Sequence, residues 1–80
     1  MFVEIYTAEK NEFSGEAKII KLPGVNGSFE IMNNHAPIIS TLEQGKIKIV
    51  DNNNKEQFFD ITSGVVETNN NKVIVLVETV

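Results

Sequence analysis

The chain of 80 residues carries 7 lysines, no arginine and 11 acidic residues, giving a formal charge of −4 and a pI near 4.8. That balance has the wrong sign for nucleic acid and for insertion into or binding of anionic lipid, both of which select a basic footprint. The absence of cysteine excludes a disulfide framework and thiolate metal sites, and no apolar run reaches the ~18 residues that a membrane-spanning helix needs.

A chain this short reads as one thin-cored domain over residues 1–80, because it buries only about 60% of its unfolded surface. Its opening, MFVEIYTAEK, lacks the basic and long apolar regions of a secretory signal. Valine, isoleucine and threonine number 9, 10 and 5, against three alanines and three leucines. β-branched side chains lose rotamer freedom in helices and pack well on pleated surfaces, so the composition points to an all-β fold.

The first strand is expected from Phe2 to Thr7, with Val3, Ile5 and Thr7 on one face. A polar break at Ala8 to Glu12 leads through Phe13-Ser14-Gly15 to a second strand over Glu16 to Leu22. Pro23-Gly24 should stop it in a type II turn, and Asn26-Gly27 suits a tight hairpin with positive φ. Ser28 to Met32 reads as the next strand, and His35 to Gln44, interrupted by Pro37, is the least strand-like stretch. Lys46 to Asp51 alternates most cleanly, with Ile47 and Ile49 on one face. The Asn52-Asn53-Asn54 run reads as a hairpin tip before a strand over Lys55 to Ile61. Gly64 opens a strand over Val65 to Thr68, Asn69-Asn70-Asn71 turns the chain, and Lys72 to Val77 is nearly all apolar. That last run fits a strand covered on both faces or lying in a sandwich core. Seven or more short strands at near-regular spacing argue for a sandwich or flattened barrel.

Reactive groups are sparse. There is one histidine, His35, with no cysteine beside it in the inventory. Ser14, Ser28, Ser40 and Ser63 have no nucleophile-elbow context. Asp51, Asp60 and the glutamates fall mostly on polar strand faces, where solvated surface explains them better than a catalytic pair. Gly24-Val25-Asn26-Gly27 precedes a strand rather than opening a helix, so it reads as turns and not as a phosphate cradle. No catalytic, metal or cofactor site is indicated. The one unusual block is GSFEIMNNHAPIISTL, between Gly27 and Leu42. Proline fixes the conformation of the His35-Ala36-Pro37 turn. The turn reads either as an ordinary connection or as a rigid contact loop presenting Met32, His35 and Pro37 to a partner.

The order Leu22-Pro23-Gly24, Gly27-x-Phe29-x-Ile31 and His35-Ala36-Pro37-Ile38 resembles the ε subunit of bacterial F-type ATP synthases. Phe13-Ser14-Gly15, Leu42-x-x-Gly45, Phe58-Phe59, Gly64-Val65-Val66-Glu67 and Asn71-Lys72-Val73-x-Val75-Leu76 keep the same order. The likeness spans residues 1–80. It implies an about ten-stranded β-sandwich at the foot of a central stalk, clasping the γ subunit and resting on the polar loops of the membrane c ring. The α and β subunits would be partners only indirectly, within the complex.

In that likeness the domain turns with the rotor, couples proton-driven rotation to ATP synthesis and has no catalysis or cofactor of its own. It lies peripherally on the cytoplasmic face of the bacterial inner membrane. The resemblance places the c-ring contact at Ser28, Glu30 and the run Met32, Asn33, Asn34, His35, Ala36, Pro37 and Ile38. Asn33-Asn34 stands where the family commonly has Pro-Gly, and Ser28 where it often has an acid, with Glu30 expected on the same face as Ser28. The family's C-terminal helical hairpin, which can restrain hydrolysis and bind ATP, has no counterpart in residues 1–80. A different class, a stand-alone sandwich module binding a peptide or carbohydrate, is the alternative. A small hydrolase built on His35 is a third, with no local spacing to favour it.

Overall fold

Nine β-strands and no helix make up the computed structural model, which describes residues 1–80. In chain order they are β1 (Phe2–Tyr6), β2 (Asn11–Glu16), β3 (Ile19–Gly24), β4 (Gly27–Met32), β5 (Ile38–Leu42), β6 (Gly45–Val50), β7 (Glu56–Ile61), β8 (Ser63–Asn69) and β9 (Lys72–Glu78). The strand count is close to the ten that the resemblance implies.

Hydrogen bonding runs continuously as β2-β1-β9-β8-β5-β3-β6-β7, with β4 added to β3. One link in this path is minimal, because β5 meets β3 only where Leu42 pairs with Gly24. The sheet therefore folds over at that seam into a five-stranded layer, β2-β1-β9-β8-β5, and a four-stranded layer, β4-β3-β6-β7. All pairings are antiparallel except β1 with β9, where Phe2 to Tyr6 run alongside Lys72 to Leu76.

Alternation decides which residues fill the space between the layers. The five-stranded layer contributes Val3 and Ile5 of β1, Val66 of β8, and Val73, Val75 and Val77 of β9. From the other come Ile20, Leu22, Ile31, Ile47, Ile49 and Ile61, and the two sets form a single buried cluster. Away from the seam, Phe13 of β2 meets Phe59 of β7 edge to face, with ring centroids 5.9 Å apart. This pair ties together the outermost strands of the two layers, and its offset geometry suits the quadrupoles of the rings. Thr68 is the one fully buried polar residue, and its hydroxyl donates to the Lys72 carbonyl at 3.2 Å.

Four departures from the sequence reading have local causes. The expected strand Glu16–Leu22 is two strands, because the chain changes layer at Ala17-Lys18. There the Ala17 amide donates to Met1 and the Lys18 amide to Val50, each at 2.9 Å, one bond to each layer. Asn11 and Glu12, read as the end of the polar break at Ala8 to Glu12, belong to β2, which pairs with β1 through a register shift at Glu12. The Thr7 hydroxyl, which accepts from the Glu9 and Lys10 amides, makes the preceding turn.

Pro23 does not end β3. It lies opposite Ser28, its carbonyl accepts from the Glu43 amide at 2.8 Å, and the hairpin turns at Val25-Asn26. Gly24 is required there: a Cβ would lie 2.7 Å from the Gly27 carbonyl oxygen and 2.8 Å from the Phe29 ring. Beyond Pro37, residues read as least strand-like form β5, paired residue by residue with β8. Its Leu42 is buried, while Ile39 and Thr41 face outward.

Asparagines carry the turns. Asn70 and Asn71 both adopt positive φ (54° and 60°) in the two-residue connection between Asn69 and Lys72, and Asn54 does so (63°) in the β6–β7 turn. In the latter, Asp51 Oδ1 accepts from the amides of Asn53 (2.8 Å) and Lys55 (3.0 Å). Asparagine tolerates the left-handed region better than most residues, so glycine is not needed at these tips.

Candidate functional site

Strand β4 alternates Phe29 and Ile31 toward the core with Ser28, Glu30 and Met32 outward. Glu30 thus shares a face with Ser28, as the spacing implied, and Met32 completes a stripe along the outside of the four-stranded layer. A four-residue separation on a strand spans roughly 13 Å, so Ser28 lies at the far end of the stripe from the loop after Met32. Met32 is half exposed, at 52%. Across β3 the stripe is flanked by Pro23, Lys21 and Ile19 in turn.

After Met32 the chain makes a tight turn in which the His35 amide donates to the Met32 carbonyl at 3.2 Å. Asn34 takes φ 64°, the conformation a glycine would adopt, so the asparagine pair serves where Pro-Gly is common in the family it resembles. Neighbouring loops fix the turn from both sides. The Asn34 amide donates to Asn71 Oδ1 at 2.8 Å, and Asn33 Oδ1 accepts from the Met1 amino group. That amino group also donates to the Ala17 carbonyl at 3.1 Å and faces Glu16 at 3.5 Å.

His35 Nδ1 lies 2.7 Å from the Ala36 carbonyl. A carbonyl only accepts, so Nδ1 carries the proton and Nε2 is left free on an exposed ring. Asn34, His35, Ala36 and Pro37 face Asn69–Asn71 across a shallow open depression. Asn33, Asn34, His35, Ala36 and Pro37 are exposed, and Ile38 at the start of β5 is partly buried against the core. The nine predicted residues therefore form two connected pieces, an outward strand stripe and a pinned loop. Nothing in the set converges on a reactive centre, and no three His, Cys, Asp or Glu side chains come together anywhere in the molecule. No helix is long and apolar enough to cross a membrane.

A second surface was not singled out from sequence. On the outer face of the five-stranded layer, Tyr6, Leu76 and Val65 lie side by side on β1, β9 and β8. Ile74 and Ile39 extend the same face, with Leu76 52% and Ile39 73% exposed. The apolar run of β9 is thus covered on one face by this chain and left open on the other. Beside it the Tyr6 hydroxyl donates to Glu4 Oε2 at 2.7 Å, and Lys72 approaches Glu4 Oε1 at 3.4 Å. The Tyr6 hydrogen bond, helped by Lys72, holds the Glu4 carboxyl below its usual range, and the same bond to Glu4 raises the Tyr6 phenol. The signal for this surface was present in the Lys72–Val77 run, whose alternate residues had no partner within the sequence.

Residues 1–80 match the family described as the ATP synthase Delta/Epsilon chain β-sandwich domain. The ATP synthase epsilon chain of Chlorobaculum tepidum is 37% identical over 98% of this chain and 89% of its own length. That of Alkalilimnicola ehrlichii is 37% identical over 99% of this chain, but only 56% of its length is spanned. Among solved structures, a chain of the Euglena gracilis mitochondrial ATP synthase assembly of OSCP, F1 and c-ring matches 94% of this one, with a TM-score of 0.88 at 14% identity. A chain of the Tetrahymena thermophila mitochondrial ATP synthase central stalk and c-ring gives 0.81 at 23% identity over 98% of this one. At those identities the two structures speak for the fold, whereas the match along the whole chain and the epsilon relatives speak for descent: the chain belongs to the ATP synthase delta/epsilon β-sandwich family.

Proposed function

We propose that this domain works in the rotor of an ion-translocating ATP synthase, linking the γ subunit to the c ring so that rotation is transmitted between membrane and catalytic head. The observation that carries the reading is the match of all 80 residues to the epsilon-type sandwich family. The pinned Asn33–Pro37 turn supports it further. A contact that transmits torque needs a surface already ordered before the partner arrives, and hydrogen bonds from two neighbouring segments supply that order.

In this reading the stripe of Ser28, Glu30 and Met32 and the His35 loop rest on polar loops of the c ring. The apolar outer face of Tyr6, Leu76 and Ile39 packs against γ. Apolar surface rimmed by charge is the usual mark of a protein contact. The domain contributes no catalytic group and binds no cofactor. It sits peripherally on the cytoplasmic face of the membrane through its partners. Residues 1–80 contain no helix, so they contribute assembly and coupling but not restraint of hydrolysis by helix extension.

The test is size-exclusion chromatography with γ from the same source, alone and within the soluble αβγ complex. Co-elution at one copy per γ is expected. Failure to co-elute at micromolar concentration with folded γ would overturn the reading.

A further inference from the structure

We infer that Asn26 is a self-modifying site, at which the β3–β4 turn converts its asparagine to aspartate and β-linked isoaspartate without an enzyme. Of the 10 asparagines, only Asn26 precedes a glycine. Asparagine and glycine suit this turn conformationally, and the same pairing leaves the backbone nitrogen beyond the asparagine unhindered. The fold adds three conditions that the dipeptide alone does not supply.

First, Val25, Asn26 and Gly27 are all exposed at the tip of a two-residue hairpin, so water and hydroxide reach both reacting groups. Second, Gly27 has φ 119°, and a Cβ built on it would meet nothing within 4 Å beyond its chain neighbours, so the space beside its Cα is open. Third, the Asn26 carboxamide has no hydrogen-bond partner in the chain. Those of Asn11, Asn33, Asn54 and Asn71 are engaged by backbone, amino or lysine groups. Asn34, Asn52, Asn53, Asn69 and Asn70 are followed by His35, Asn53, Asn54, Asn70 and Asn71, whose side chains crowd the attacking nitrogen.

The reaction is a transfer of the acyl group with no change of oxidation state. The Gly27 backbone nitrogen, its proton taken by hydroxide, attacks Asn26 Cγ. The new N–C bond closes a five-membered imide as the Cγ–Nδ2 bond breaks, and Nδ2 takes a proton from water and leaves as ammonia, restoring the hydroxide. Water then opens the imide at one of its two carbonyls. One opening yields aspartate, and the other routes the main chain through Cγ and lengthens the turn by one carbon.

The product has two structural effects. A carboxylate appears at the head of the outward stripe of Ser28, Glu30 and Met32. In the β-linked form, the added carbon strains a turn whose start, Gly24, has a Cβ position already occupied by the Gly27 carbonyl oxygen and the Phe29 ring.

The experiment incubates the purified folded chain in warm, mildly alkaline buffer, beside the same chain unfolded in urea, and locates exchange of NH2 for OH by peptide mass spectrometry. Methylation by an isoaspartate methyltransferase reports the β-linked product. In the folded chain, conversion at Asn26 is expected to exceed that at every other asparagine, because glycine alone presents the attacking nitrogen without a neighbouring Cβ. The Asn26→Ser variant should lose the signal while its urea midpoint stays unchanged. Gly27→Ala is expected to slow conversion for the same steric reason. Because that variant also strains φ, Asn26→Ser is the decisive control. Equal conversion across the asparagines, or conversion at Asn26 only in urea, would overturn the proposal.

Discussion

The two layers contribute alike to the core but differ on their outer faces. Outside the four-stranded layer, Lys46 pairs with Asp60 at 2.8 Å and Lys48 approaches Glu56 at 3.9 Å, while Lys21 lies beside Glu30 across β3 and β4. One end of that face is apolar, where Met32, Ile19 and Val50 lie side by side on β4, β3 and β6, and Phe58 and Pro23 add two further apolar positions. Outside the five-stranded layer, Tyr6, Leu76 and Val65 form an apolar row across β1, β9 and β8, with Ile74 and Ile39 on either side of Glu67 in the next row and the Glu4–Lys72 pair beside them. Cross-strand charge pairs keep most of the first face solvated, whereas the apolar row of the second is the kind of surface that marks a contact. Equal inner faces with unequal outer faces separate what folds the domain from what the proposed function uses to dock it.

The first way to break that comparison is to show that the layers do not share one core. Ile20→Ala, between Ile31 and Ile49 in the four-stranded layer, should cost about 3 kcal/mol, and Val75→Ala in the other layer about 2 kcal/mol. Each should shift the urea midpoint in one cooperative transition. Non-coincident transitions by circular dichroism and Tyr6 fluorescence would mean that the layers unfold separately.

The outer faces are compared next. Leu76→Asp should leave the isolated domain within about 0.5 kcal/mol of the parent while weakening γ binding by tenfold or more, about 1.4 kcal/mol. Phe58→Asp, equally exposed on the charged face, should leave γ binding unchanged in the same titration calorimetry. The reverse result would assign the faces the other way round.

A smaller effect is expected at the loop. Asn71→Gly removes the bond to the Asn34 amide while keeping the positive φ, at a cost of about 1 kcal/mol. Faster amide hydrogen exchange should then be confined to Asn33–Pro37 and the β8–β9 turn.

The smallest effect is electrostatic. The folded Glu4 carboxyl is depressed, so its contribution to stability is present above the ordinary carboxylate range and lost as pH falls through the folded value. The folded Tyr6 phenol is raised, so its contribution is present below the ordinary phenol range and lost as pH rises through the folded value. Urea midpoints of parent and Tyr6→Phe should therefore converge at both pH extremes and differ most near neutrality.

Much of this architecture could be read from the sequence, and the misreadings share one origin. Period-two alternation identified the inward faces of β1 and β6, because their buried residues are all aliphatic and evenly spaced. It failed at Glu16–Leu22, where alternation continues across Ala17-Lys18 although the chain changes layer there. No residue type signals a change of hydrogen-bonding partner. Pro23 was overvalued as a stop because a strand whose partner does not require its amide tolerates proline. In the candidate site, the His-Ala-Pro block and the shared face of Ser28 and Glu30 were legible. The pinning of the loop by Asn71 and Met1 was not, since both lie far from it in sequence. The apolar outer face was visible only as a strand with too many hydrophobic residues, and seeing it needed the register across β1, β9 and β8.

The parallel pairing of β1 with β9 bears on how the molecule is made. β1 joins its own neighbour β2 early, but its other edge waits for a strand nearly the whole chain away. Until Lys72 to Leu76 have emerged from the ribosome, a nascent chain carries an open β1 edge and an unfilled half-core, the kind of surface that invites mispairing with other chains. Completion of the fold is thus tied to the emergence of β9, and such distant closure makes for slow folding despite the small size. Chains released before β9 should be substrates for chaperones and proteases.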